Sequence, residues 1–164
     1  MDFFSTNCQS GPFTAERFGV CDDQQGLRAY VDTVEASTWI ATVENRSQTP
    51  VTFTAIDKCV IKDDEEPGRG RCDAMLTTDG SLYLLELKDQ HKGWIPHATE
   101  QLESTIRFLL EHHASQLSGY RHKKAFACNR RHPAFAEIDH ELQNRFFRDY
   151  RFRLDVQATV VLVS

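Results

Sequence analysis

Residues 73–88 have the sequence DAMLTTDGSLYLLELK, in which two strand-like runs flank the pair Asp79-Gly80. An Asp-Gly pair between two such runs is a strong signal for a two-residue β-hairpin turn. With this pair at the centre of the turn, counting outward along both strands places Asp73 opposite Glu86. The sequence therefore predicts a hairpin in which these two residues form a non-hydrogen-bonded pair, with Cα atoms about 4.5 Å apart.

Two carboxylates facing each other on a sheet repel, so the predicted pair needs a compensating interaction. The run 82–87 is otherwise apolar on both faces, which indicates a strand covered on both sides. Mg²⁺ is typically held by one or two carboxylates, with waters and substrate phosphate completing its coordination. Lys88 follows Glu86 on the same face, where it can orient a water molecule or neutralise phosphate charge. The alternative is a surface hairpin in which Glu86 and Lys88 simply pair.

The spacing Asp73-x12-Glu86-x-Lys88 across a hairpin, followed by a helix, resembles the PD-(D/E)XK superfamily of restriction-endonuclease-like nucleases. The resemblance covers the chain from about residue 50 to about residue 130. It implies that Asp73 and Glu86 bind Mg²⁺ or Mn²⁺ together with the Leu87 carbonyl. It also implies that Lys88 activates the attacking water, and that the core has the order αβββαβ.

Three further positions are compared with the same family. Many of its members carry a glutamine on the helix after the hairpin, and Gln101 matches it; a solvent-facing helix residue is the alternative for Gln101. The acidic residue of the family's first helix has three candidates here, Glu35, Glu44 and Asp57. Cys72 stands where the family has a proline, at a position that takes no part in the chemistry.

The rest of the chain predicts one α/β domain over residues 1–164. Its expected architecture is a three-layer-type sandwich with a mixed β-sheet flanked by helices. Apolar and turn patterns predict strands at 39–44, 51–61, 124–129 and 152–160, and helices at 97–113 and 134–149. A βαβ-type crossover through the first of these helices is expected to lay strand 124–129 beside the hairpin. Residues 1–37 have the least regular pattern, with a short helix expected near 13–18 or 26–36.

Composition favours a protein of the cytoplasm. The chain is 40% hydrophobic and 26% charged, as is ordinary for a globular protein. It shows neither the pattern of a signal peptide at its start nor an apolar stretch of transmembrane length, so no membrane partner is expected. The five cysteines include no CxxC pair and are expected to be reduced, with Cys59, Cys72 and Cys128 as small core residues.

Charge is distributed unevenly along the chain, whose net charge is −5. Residues 1–87 carry 7 Lys/Arg and 15 Asp/Glu, whereas residues 88–153 carry 12 and 8. This asymmetry is typical of a protein with one phosphate-facing side, although solvated helix and loop faces are the alternative. Lys123, Arg130 and Arg131 are the residues predicted to hold nucleic-acid phosphates.

The leading hypothesis is a metal-dependent phosphodiesterase that cleaves DNA or RNA. Its catalytic residues would be Asp73, Glu86, Lys88 and Gln101. A homodimer is expected if it binds duplex DNA symmetrically. The alternatives are a catalytically inactive restriction-endonuclease-like module that binds protein or DNA, and a small-molecule enzyme that uses the same metal site.

Overall fold

The computed structural model describes residues 1–132 and 139–163, and within these ranges it contains ten strands and two α-helices. The strands are β1 (Gln9–Phe13), β2 (Arg17–Cys21), β3 (Tyr30–Asp32), β4 (Ala41–Glu44), β5 (Val51–Ala55), β6 (Ala74–Thr77), β7 (Ser81–Lys88), β8 (His122–Asn129), β9 (Arg153–Val156) and β10 (Thr159–Val161). The helices are α1 (Ile95–Ser118) and α2 (His140–Tyr150). In the ranges described, no helix is both long and apolar enough to cross a membrane.

The larger of two sheets has the order β1-β5-β6-β7-β8-β9. Its β6–β7 hairpin pairs Met75 with Leu84, and Thr78 N donates to the Ser81 carbonyl at 2.9 Å. This is the register predicted from the Asp-Gly turn. Strand β8 lies parallel to β7 after the crossover through α1, so that prediction is also confirmed.

The larger sheet is covered differently on its two faces. All eight residues of β7 are buried, as expected for a strand covered on both sides. Leu84 belongs to a cluster with apolar residues of α1 and α2, such as Leu102. Tyr83 and Leu85 face the other way, into a cluster with Val43 of the smaller sheet, whose order is β10-β4-β2-β3. The α/β fold with a mixed sheet is thus confirmed, but the second face is covered by strands and not by the expected helices.

The N-terminal region forms strands where a short helix near 13–18 or 26–36 was expected. Strand β2 is buried from Phe18 to Cys21 and pairs with both β3 and β4. The Trp39 ring lies directly over Gly19, where an added Cβ would come 1.9 Å from Trp39 Cγ. Glycine is a poor helix residue, and at this point it makes room for the indole ring.

Several element boundaries also differ from the predictions. Strand 51–61 ends at Ala55, and the predicted final strand 152–160 divides into β9 in the larger sheet and β10 in the smaller one. Helix α1 continues past a non-helical His113 (φ −137°, ψ 34°), which is where the prediction ended it. Helix α2 begins at His140 with its N-terminus capped by Asp139; the predicted start at 134 lies outside the described residues.

The prediction that all cysteines are reduced is wrong. Cys8 and Cys59 form a disulfide that ties the segment before β1 to the loop after β5. The two residues are 51 positions apart, and no local pattern relates them. Cys59 is therefore not a core thiol, and a cytoplasmic location can no longer be inferred from reduced cysteines. Cys72 and Cys128 are buried free thiols, as predicted.

Candidate functional site

The predicted site residues meet in an open cleft at the C-terminal end of β7. We call it the carboxylate cleft; its lining includes Asp22, Gln24, Asp57, Lys58, Arg71, Asp73, Glu86, Leu87, Lys88 and Gln101. Glu86 and Lys88 point to the same side because they alternate along β7, and their residues are only 3% and 9% exposed. Asp73 directly precedes β6, and Leu87 N donates to its Oδ2 at 2.7 Å. This bond fixes the Asp73 carboxylate next to Glu86.

The environment of the two facing carboxyl groups favours their protonated forms. Burial, above all, raises the pKa of Asp73 to about 6. Burial and then the negative charge of Asp73 raise the pKa of Glu86 well above its ordinary value. Each group therefore raises the cost of ionising the other, so burial and mutual repulsion favour either a proton or a cation at this pair.

Asp22 is a third carboxyl group of the cleft, and sequence reasoning missed it. It follows β2 of the smaller sheet and lies close enough to Asp73 for the two groups to affect each other's pKa. Burial raises its pKa too. No spacing in the sequence relates Asp22 to the hairpin, because the packing of the two sheets brings it there.

Of the three candidates for a further acidic residue, only Asp57 lines the carboxylate cleft. It lies just after β5, and its Oδ1 is 3.1 Å from Arg71 Nε. Glu44 instead pairs with Arg46 on the smaller sheet. Glu35 precedes the 3-10 turn Ala36–Thr38 and is exposed.

Lys88 has two partners in the cleft. Its Nζ lies 3.4 Å from Glu86 Oε2 and 2.9 Å from His97 Nδ1. His97 stands in the first turn of α1, so the crossover helix delivers it to the end of β7. Sequence reasoning missed His97, whose only signal was its place at the start of the predicted helix. The two contacts hold the Lys88 amine at the cleft rather than in open solvent.

Gln101 stands one helical turn after His97 and also lines the cleft. Its side chain lies against Gly70, where an added Cβ would come 1.8 Å from Gln101 Oε1. The glycine therefore makes room for the Gln101 amide beside the hairpin. The structure thus brings Gln101 to the site residues of β6 and β7.

The Leu87 carbonyl, predicted as a metal ligand, accepts a hydrogen bond from Gln24 Nε2 at 3.3 Å. Gln24 lies in the turn after Asp22, with a left-handed φ of 62°. A carbonyl oxygen has two lone pairs, so this bond leaves one acceptor site available. The turn from the smaller sheet therefore forms one wall of the cleft.

The cleft fits a water-rich Mg²⁺ site. In the ranges that the structure describes, no three His, Cys, Asp or Glu side chains are already arranged around a common ion position. Mg²⁺ does not require such a cage, since it usually keeps several waters and takes one or two carboxylates plus substrate phosphate. Asp73 and Glu86 would supply the carboxylates, with the Leu87 carbonyl and Asp22 adjacent.

The three predicted phosphate-binding residues are not brought together. Arg130 and Arg131 follow β8 at the cleft end of the sheet; Arg130 bonds to the Ser37 carbonyl, and Arg131 Nε lies 2.9 Å from Asp89 Oδ1. Lys123 lies at the start of β8, six residues before its end. At about 3.3 Å per residue it is roughly 20 Å from the cleft end of that strand.

Comparisons with family models, with curated protein sequences and with solved structures gave no match to this chain.

Proposed function

We propose that the chain is a Mg²⁺- or Mn²⁺-dependent phosphodiesterase that acts on nucleic acid. The observation that carries the proposal is the pair of carboxyl groups, Asp73 and Glu86, buried together at the end of β7 and open to a cleft. Burying two carboxylates side by side disfavours the folded protein unless a proton or a cation compensates. Lys88 beside them supplies the third group that hydrolysis of a phosphodiester needs.

The chain order around the cleft supports a restriction-endonuclease-like core. Strands β5, β6 and β7 are consecutive and antiparallel, α1 crosses over, and β8 returns parallel to β7. This order corresponds to the βββαβ part of the αβββαβ core. The first helix of that core has no counterpart before β5 in the described ranges, and Asp22 of the smaller sheet is in reach of Asp73 instead.

The chemistry follows from the contacts in the cleft. When bound, a divalent cation polarises the scissile phosphate and lowers the pKa of a bound water. Asp73 and Glu86 would hold the cation in their ionised forms, and any proton bound to them would pass to solvent. Lys88, positioned by Glu86 and His97, orients the attacking water and offsets charge on the phosphate.

The test is a calorimetric titration with Mg²⁺ and Mn²⁺, combined with a cleavage assay on mixed DNA and RNA. The variant is Asp73→Asn/Glu86→Gln, which keeps the shape of both side chains and removes their charge. We expect metal binding to disappear and cleavage to fall by at least about a hundredfold, or nearly 3 kcal/mol in transition-state stabilisation.

The matched control is Asp64→Asn/Glu66→Gln, which removes two exposed carboxylates from the neighbouring loop. It has the same change in net charge and should leave both readouts unchanged. Undiminished cleavage in the cleft variant would overturn the proposal.

A second candidate is a non-catalytic binding module on the same scaffold. It is favoured by one observation: burial raises the pKa of both Asp73 and Glu86, and the protonated pair needs no cation. In that case the wild-type protein binds no divalent cation even when nucleic acid is present. The same titration therefore separates the two candidates.

A further inference from the structure

A second charged site lies at the other end of the larger sheet, where β8 and β9 begin. We call it the basic groove; its cationic residues are Arg121, Lys123, Lys124, Arg151 and Arg153. The groove runs between these residues and the C-terminal part of α2. The length of β8 separates it from the carboxylate cleft by roughly 20 Å.

Charge pairing among the described residues does not account for the cations of the basic groove, although the guanidinium groups of Arg151 and Arg153 lie over the Phe147 ring. Within the described part of the chain, none of the five has a carboxylate oxygen within 4.0 Å. Other arginines of the same half do pair, as Arg145 does with Glu103. Lys124 moreover stands directly opposite Arg153 in the β8–β9 register, and like charges in that position are destabilising. Stability alone therefore does not explain why these positions are basic.

The shape and lining of the groove indicate an extended ligand. It consists of two adjoining cavities that share Lys124, Phe147 and Arg153. Phe147 is 41% exposed, and the guanidinium carbon of Arg153 lies 5.1 Å from its ring centroid. In the cavity that extends along α2, the exposed Asn144 and the Asp155 carboxylate complete the polar lining beside Lys124 and Arg153. A positively charged groove with an aromatic side chain is the combination by which many proteins bind single-stranded nucleic acid.

We propose that the basic groove binds the phosphates of a single-stranded nucleic acid, as a site separate from the carboxylate cleft. Binding there does not depend on the proposed cleavage reaction. Lys124 and Arg153 form its centre, because both cavities share them.

The experiment measures binding of a fluorescent 20-nucleotide oligodeoxythymidine by anisotropy, with EDTA present so that no cleavage occurs. We expect Arg153→Glu to weaken binding at least tenfold at low salt. The dependence of log K on log salt should become shallower by about 0.7 for each phosphate that the variant no longer neutralises. The control is Arg46→Glu, at an exposed arginine of the turn after β4, which changes the net charge equally.

The proposal would be overturned if the wild-type protein bound no oligonucleotide at low salt, or if Arg153→Glu and Arg46→Glu weakened binding equally. Lys124→Glu provides a second groove variant, and the thermal unfolding of each variant is checked first. The variant Asp73→Asn/Glu86→Gln separates this proposal from the proposed cleavage. It should bind the oligonucleotide at least as well as the wild type even though it does not cleave. If Asp73→Asn/Glu86→Gln alone lost oligonucleotide binding, the oligonucleotide would bind in the carboxylate cleft, and the proposal that it binds in the basic groove would be wrong.

Discussion

Both ends of the larger sheet gather like charges, but the carboxylate cleft and the basic groove accommodate them differently. In the cleft, Asp73 and Glu86 are shielded from water, and burial together with their mutual repulsion favours a proton shared by the two groups. In the groove, Arg153 is exposed and Lys124 is partly exposed, so water and salt screen their repulsion. Charges interact more strongly where the effective dielectric constant is low. Stability and binding at the cleft should therefore depend on pH and divalent cations, whereas stability and binding at the groove should depend on ionic strength.

The largest effect is expected in the pH dependence of stability in the metal-free protein. The folded-state pKa of Asp73 is raised to about 6, so the folded protein binds this proton more tightly than the unfolded chain does. The resulting stabilisation is fully present below about pH 4, the ordinary pKa of Asp, and is lost as the pH rises through about 6. A shift of about 2 pKa units corresponds to up to about 3 kcal/mol in the free energy of unfolding.

Urea denaturation in EDTA between pH 4 and pH 7.5 measures this effect. Asp73→Asn/Glu86→Gln is the reference, because the titrating groups outside the cleft contribute equally to both proteins. The wild type should lose stability relative to the variant as the pH rises, and excess Mg²⁺ should restore part of it at pH 7.5. Parallel stability curves for the two proteins would show that the cleft carboxyls do not share a proton.

The cleft was partly predictable because its hairpin is encoded locally. Asp79 and Gly80 fix the turn, the turn fixes the register, and the register determines that Asp73 and Glu86 lie together. Asp22 follows a strand of the other sheet and lines the same cleft because the two sheets pack together, and no spacing in the sequence predicts that packing. The local part of the candidate site was therefore predictable, and the part that tertiary packing brings in was not.

The fold, too, was predictable where its pattern is local and was not predictable where tertiary packing determines it. The order β7, α1, β8 follows from a long apolar strand and a helix with a regular apolar stripe, and the structure has both. The smaller sheet is built from short strands such as β2. Gly19 interrupts the apolar pattern of β2, and the reason for this glycine is the Trp39 ring that packs over it. The groove was missed because the basic residues were interpreted as one group. Arg131 and Lys123 in fact lie at opposite ends of β8.

A smaller effect is expected from His97, which tests whether the cleft positions Lys88. In His97→Ala the Lys88 amine loses its partner at 2.9 Å and keeps only Glu86. We expect kcat for cleavage to fall about tenfold, or about 1.4 kcal/mol, with metal affinity nearly unchanged. His91→Ala is the control, because His91 contacts Arg131 and not Lys88. Equal loss of kcat in both variants would argue against a positioning role for His97.

The smallest effect is expected in the basic groove, from Lys124→Glu. The new carboxylate would stand opposite Arg153, so a repulsive cross-strand pair becomes an attractive one. The free energy of unfolding should rise by roughly 0.2–1 kcal/mol at low salt. In 1 M salt the gain should fade, because the Debye length is then about 3 Å.

Thermal or urea unfolding at the two salt concentrations measures this gain. Lys123→Glu is the control: its neighbour on β7 is Leu82, and no arginine stands opposite it in that register. If Lys124→Glu is more stable than the wild type but binds the oligonucleotide more weakly, the Lys124–Arg153 pair destabilises the fold and contributes to ligand binding. If neither stability nor binding changes, Lys124 and Arg153 belong to an ordinary solvated surface, and the cleft is the end of the sheet where charge is organised for function.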